Sequence, residues 1–147
     1  MARSGVAAAL LLAGQGARVR LSDVKGREQL KEALAPLENL EGIEYRLGEP
    51  AEGLLDGVDQ VVISPGVPID HPVVGASRAR GIELIGELEL AFRHAKGRLT
   101  AITGTNGKTT TTSMVCEIFK NAGKLTFVVG NIGMPYASVA AGTRDTD

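Results

Sequence analysis

A chain of 147 residues has the length of one ordinary domain and can bury a real apolar core. With 44% hydrophobic residues, 22% charged residues and a formal net charge of -1, it is neither a disordered polyelectrolyte nor a protein with the basic face that nucleic acid requires. Its one cysteine, Cys116, rules out an internal disulfide and a thiolate metal cluster, and suits a reducing cytoplasm.

The first periodic segment runs from Ser4 to about Gln15, with Val6, Ala7, Leu10 and Leu11 at the spacing of one helical face and Gly14 or Gly16 as the stop. Its run GVAAALLLAG is too short to span a bilayer and lacks the small-residue cleavage site of a signal peptide, so no membrane insertion is expected. RVRLSD at 18 to 23 reads as a strand ending in Asp23, residues 26 to 35 as a helix stopped near Pro36, and IEYRL at 43 to 47 as a second strand. QVVIS at 60 to 64 is a β-branched run of the fully buried kind, closed by Ser64-Pro65-Gly66.

His71 to Arg80 suits a helix, IELI at 82 to 85 a short strand, and Gly86 to His94 a helix with Leu88, Ala91 and Phe92 turned inward. A strand RLTAIT at 98 to 103, a helix from Gly107 to Asn121 and a strand LTFVVG at 125 to 130 complete the pattern. Strand and helix alternate throughout, which predicts α/β architecture with parallel strands and crossover helices. A boundary is expected near residue 96. It leaves a parallel-sheet domain at 1–96 and, at 97–147, a single βαβ unit too small for its own core. In doubly wound sheets a strand precedes the first glycine turn and helix, whereas this chain opens on the helix. The expectation is therefore a first domain lacking its first strand and a second domain cut short.

The densest chemistry lies in GTNGKTT, Gly104 to Thr110. Glycines there let successive backbone amides face one anion, and the following helix adds its positive end. Lys108 would supply a point charge to the phosphates and Thr109 a hydroxyl to Mg²⁺. The strict phosphate-loop spacing wants a further glycine where Ile102 stands, so this is a shortened variant. A bare glycine turn with an exposed lysine is the competing reading, and the strand before and helix after weigh against it. Asp23, at a strand end, suits either a ribose or base contact or a turn. Ser64-Pro65-Gly66 and Asn131-Ile132-Gly133 are either turns or parts of a ligand site at the carboxyl edge of a sheet. His71 and His94 read as surface residues, and Cys116 as packing. A dinucleotide oxidoreductase is disfavoured, because no G-x-G-x-x-G precedes Asp23.

Taken together, TGTNGKTT, GNIG, SPGVPIDHP, GIELIGELELAF and RSGVAAALLL resemble the Mur ligases, cytoplasmic ATP-dependent amide ligases of peptidoglycan synthesis, and within them the D-glutamate-adding branch. The resemblance covers essentially the whole chain. It implies a Rossmann-like domain for a UDP-linked substrate at 1–96, then the first phosphate-loop unit of a central ATPase domain. The implied substrates are UDP-N-acetylmuramoyl-L-alanine and D-glutamate, with ATP and Mg²⁺, and the implied reaction passes through an acyl phosphate. Arg3, Ser4 and Gly5 would lie near the diphosphate, Asp23 near the uracil or ribose, and Ser64, Pro65 and Gly66 along the uridine pocket. Asn131 would reach the diphosphate or sugar. Gly104, Thr105, Asn106, Gly107, Lys108, Thr109 and Thr110 would hold the ATP phosphates, with Lys108 the catalytic residue and Thr109 a Mg²⁺ ligand. The 147 residues by themselves are expected to be inactive and prone to self-association, the full-length ligase a monomer. The alternative is a module that binds a uridine nucleotide or ATP without catalysis.

Overall fold

The computed structural model describes residues 3–49 and 53–144. Helix α1 (Arg3–Ala13) is carried by the strong helix formers from Ala7 onward and ends at Gly14, with Gly16 turning the chain at φ 81. Strand β1 (Val19–Asp23) leads into α2 (Arg27–Leu34), which gives way at Pro36 to a 3₁₀ turn, Ala35–Leu37, before β2 (Ile43–Leu47). Strand β3 (Gln60–Ile63), α3 (Pro72–Ala79), β4 (Glu83–Gly86) and α4 (Glu87–His94) follow. Beyond them stand α5 (Lys108–Asn121) and a single turn of helix, α6 (Ala137–Ala140), which the sequence pattern does not announce.

All the described strand pairing is parallel, as the alternating elements require, but it forms two small sheets. In one, β1 pairs with β2 from Val19↔Ile43 to Asp23↔Leu47; in the other, β3 pairs with β4 from Gln60↔Glu83 to Ile63↔Gly86. Helix α1 joins the two halves because it is buried on both sides. Ala7, Ala8 and Leu11 pack with Ile85, Leu90, Ala91, Tyr136, Ala137 and Ala140, whereas Ala9 packs with Leu21, Leu30, Leu34 and Leu37. Three successive alanines give α1 the slimness that packing on two sides demands.

Several expectations are corrected. Strands at 98–103 and 125–130 are not formed: among the described residues neither segment has a ladder partner beyond an isolated bridge, Val129↔Met134. A strand is defined by filled hydrogen bonds to a neighbour, so an apolar β-branched segment without one is not a strand, whatever its composition. In α4 the inward residues are Glu87, Leu90 and Ala91, while Leu88 and Phe92 are each 55% exposed. The helix is rotated so that its 87–90–91 stripe meets α1 and α6. Leu10 of α1 likewise faces outward, and β3 is half-buried rather than fully buried because one side of it borders a cleft.

Candidate functional site

The cleft has a volume of about 1520 Å³ and lies between the two sheets. The whole of β1 lines one side and the whole of β3 the other, with Ser4, Gly5, Ala8, Ala9 and Leu12 of α1 between them. The loops leaving the carboxyl ends of β1 and β3 therefore open onto the first turn of α1, the usual place for a ligand in an open parallel α/β fold. Of the residues singled out from sequence, Ser4, Gly5, Asp23, Ser64 and Gly66 line this cleft together. Arg3, Pro65 and Asn131 are not among its lining residues. Lys25, His71 and Glu87 also line it, and sequence reasoning passed them over as site residues.

Hydrogen bonds explain several of these placements. The Asp23 carboxylate accepts the Lys25 N–H at 2.9 Å, closing a turn at the end of β1. Partial burial raises the pKa of Asp23, but hydrogen bonding and nearby positive charge, Lys25 included, outweigh it and hold the carboxyl below its ordinary range. His71 Nδ1 accepts the Val73 N–H at 3.3 Å and so caps α3, whose first residue is Pro72. Its place in the sequence, directly before a proline that opens a helix, is the signal that could have revealed that capping role.

The glycine loop is built by local backbone preference. Gly107, at φ 77, is the residue before α5, and Gly104 has φ 152; only glycine adopts either angle readily. No side chain caps the N-terminus of α5, so its first amides point from an exposed loop toward solvent. The Lys108 ammonium folds back over the loop, donating to the Gly104 carbonyl and to the Thr105 carbonyl, the latter at 3.3 Å. A cation therefore lies over two loop carbonyls, beside the uncapped first amides of α5, which are the groups that suit an anionic ligand. Thr109 and Thr110 are exposed beside it.

After α5, the Gly130–Gly133 turn is closed by the Gly130 N–H donating to the Met134 carbonyl at 3.0 Å. Gly133, at φ 87, passes so close to Val128 that no side chain fits there. Tyr136 is buried, and that burial raises its pKa. Next to it, the Ala137 N–H donates to the buried Glu87 carboxylate at 2.7 Å. Among the described residues, no group of three or more His, Cys, Asp or Glu side chains is arranged to hold a metal ion, and no helix is long and apolar enough to cross a membrane.

A family model described as Mur ligase MurD-like, N-terminal domain, matches residues 1–86, more than half of the chain. This chain belongs to the MurD-like Mur ligases. A second model, Mur ligase middle domain, matches residues 102–146, which include the glycine loop and α5. The chain is 49% identical to the UDP-N-acetylmuramoylalanine--D-glutamate ligase of Alkaliphilus metalliredigens, with all of this chain and 32% of the relative covered. Ligases of the same name from Alkaliphilus oremlandii and Caldanaerobacter subterraneus are 51% and 47% identical, covering 98% and 97% of this chain and 32% of each relative. The chain thus spans about a third of the length of the curated relatives it matches. Within the Mur ligase frame, the cleft's described lining falls in the N-terminal match except for Glu87, one residue beyond it, and the glycine loop and the Gly130–Gly133 turn fall in the middle-domain match.

Proposed function

We propose that these residues serve an ATP-dependent ligase that joins D-glutamate to UDP-N-acetylmuramoyl-L-alanine, a cytoplasmic step of peptidoglycan synthesis. The observation that carries this reading is the exposed glycine loop at the uncapped N-terminus of α5, in a chain 49% identical along its length to a ligase of that name. In this reading residues 1–96 bind the UDP-linked substrate. Ser4 and Gly5 sit by the diphosphate with Arg3 beside them, Asp23 by the ribose or uracil, and Ser64, Pro65 and Gly66 along the uridine. Asn131, outside the cleft's described lining, would contact the diphosphate or sugar from the later turn. Residues 97–147 begin the ATP-binding domain.

The loop amides from Gly104 to Thr110 and the Lys108 ammonium fit a polyphosphate. On binding, Lys108 exchanges two loop carbonyls for phosphate oxygens and offsets the charge that develops as the γ-phosphoryl moves to the alanyl carboxylate. The Thr109 hydroxyl is the group this segment would offer to Mg²⁺, which when bound would supply positive charge to the phosphates. D-glutamate's amine then attacks the acyl phosphate and expels phosphate. Because this chemistry depends on positioning and charge, the Lys108→Ala change in a full-length ligase is expected to abolish ATP-dependent ligation. Near-normal turnover of that variant would refute the role given to Lys108.

A second reading, a nucleotide-binding module without turnover, is favoured for the 147 residues alone. The cleft is lined only by residues up to Glu87, and the phosphate loop contributes none of its described lining. Calorimetry with UDP-N-acetylmuramoyl-L-alanine and with MgATP is expected to show binding, and an assay with all three substrates no ligated product. Measurable product would overturn the non-catalytic reading of the isolated chain.

A further inference from the structure

Glu87 is the only charged side chain buried among the described residues, and it touches two regions at once. It begins α4, directly after β4, and it lines the cleft. Fifty positions along the chain, it accepts the Ala137 amide at 2.7 Å, where α6 begins. A buried carboxylate is costly unless it is hydrogen-bonded, and a buried amide is costly without an acceptor, so the two groups hold each other in place. Six positions before Ala137 stands Asn131, in a turn stiffened by Gly133, by the Val129↔Met134 bridge and by buried Tyr136. At the far end of α6, the Lys96 N–H donates to Thr143 Oγ1 at 2.8 Å, a second tie between the first unit and this segment.

We propose that Glu87 is a positioning residue that fixes the Asn131 turn relative to the substrate cleft by anchoring the first amide of α6. It acts on the ligand through Asn131. The inference rests on the reading of Asn131 as a contact to the UDP-linked substrate, and it adds the group that sets where that contact stands. Glu87→Ala removes the acceptor and leaves the Ala137 amide buried without a partner. Glu87→Gln keeps a side-chain carbonyl at the same reach and removes only the charge.

Two measurements on the 147-residue chain test it. In the first, affinity for UDP-N-acetylmuramoyl-L-alanine is compared for wild type, Glu87→Ala, Asn131→Ala and the double variant. Each single change is expected to weaken binding about ten-fold, and the double change no more than either, because both remove one contact. Glu87→Gln is expected to restore most of the affinity. Losses that multiply in the double variant, or a Gln variant as weak as Ala, would overturn the proposal. The second measurement follows hydrogen exchange at the Ala137 amide. It is expected to speed about ten-fold or more in Glu87→Ala and to stay near wild type in Glu87→Gln. Unchanged exchange in Glu87→Ala refutes the anchor whatever the ligand does. Faster exchange in Glu87→Ala, together with a wild-type chain that binds no UDP-linked substrate, instead refutes the functional reading and, with it, the step through Asn131.

Discussion

A Cβ placed on Gly133 would lie 2.3 Å from the Val128 carbonyl oxygen, at a backbone angle of φ 87 that side chains rarely adopt. Gly133→Ala is therefore expected to lower stability by about 1–3 kcal/mol, read as a fall in the urea midpoint with unchanged slope. A midpoint equal to wild type would mean that the turn relaxes easily. The contrast with Glu87 shows what single residues disclose in advance. The glycine turn at Gly107 and the helix that starts at Lys108 were legible because a loop-helix motif is local, its neighbours in sequence being its neighbours in space. Glu87 was not, because its partner lies fifty positions away and a glutamate in the first turn of a helix ordinarily faces water. Leu88 and Phe92 misled for the same reason: their apolar character says that they can be buried, and only tertiary packing decides which stripe of α4 is.

Arg20, on β1, shows how one side chain ties elements together. Its Nε donates to Glu44 on β2 at 2.8 Å, and one terminal nitrogen donates to the Leu54 and Asp56 carbonyls, each at 2.9 Å. Arg20→Ala is expected to cost about 1–2 kcal/mol and to make the 53–57 loop the first site of proteolytic nicking; cleavage elsewhere first would count against this. The paired strands also carry an acid sensitivity. Glu44 is held low mainly by its hydrogen bond from Arg20, Glu83 by those from Arg93 and Gln60, and Asp23 by contacts that outweigh its desolvation. A carboxyl whose folded pKa lies below its unfolded one stabilises the fold above the unfolded value, and that contribution disappears as pH falls through the folded value. The urea midpoint is expected to be flat near neutrality and to decline below about pH 4, and a midpoint that rises on acidification would contradict the sign. The strands themselves were largely readable, since β1, β2, β3 and β4 follow β-rich runs. The segments at 98–103 and 125–130 share that composition yet form no ladder, because pairing is a property of two segments and a sequence window sees one.

Across the whole molecule, apolar exposure is uneven. Thirteen large apolar side chains are exposed among the described residues, and seven of them lie between Leu99 and Met134. Met114 and Ile118, which share a face of α5, are 61% and 63% exposed. Exposure on that scale drives association in water, so sedimentation of the 147-residue chain is expected to show concentration-dependent self-association, weakened by Ile118→Lys. A chain that stays monomeric at every concentration would refute this. The α/β class and the parallel sense of pairing were evident from the alternation of elements. The division of the sheet into two halves and the packing of α6 on α1 and α4 were not, since both depend on contacts among segments far apart in the chain.

That last contact has a bearing on how the protein is made. Tyr136, Ala137 and Ala140 finish a core whose first members are Ala7, Ala8 and Leu11 and whose middle members end at Ala91. During synthesis, the apolar side of α1 and α4 must wait for the ribosome to add the residues from 95 to 140, a delay of roughly two to nine seconds at ordinary elongation rates. For that interval the nascent first unit presents a sticky, unfinished surface, and a chaperone that shields apolar segments has its natural window there.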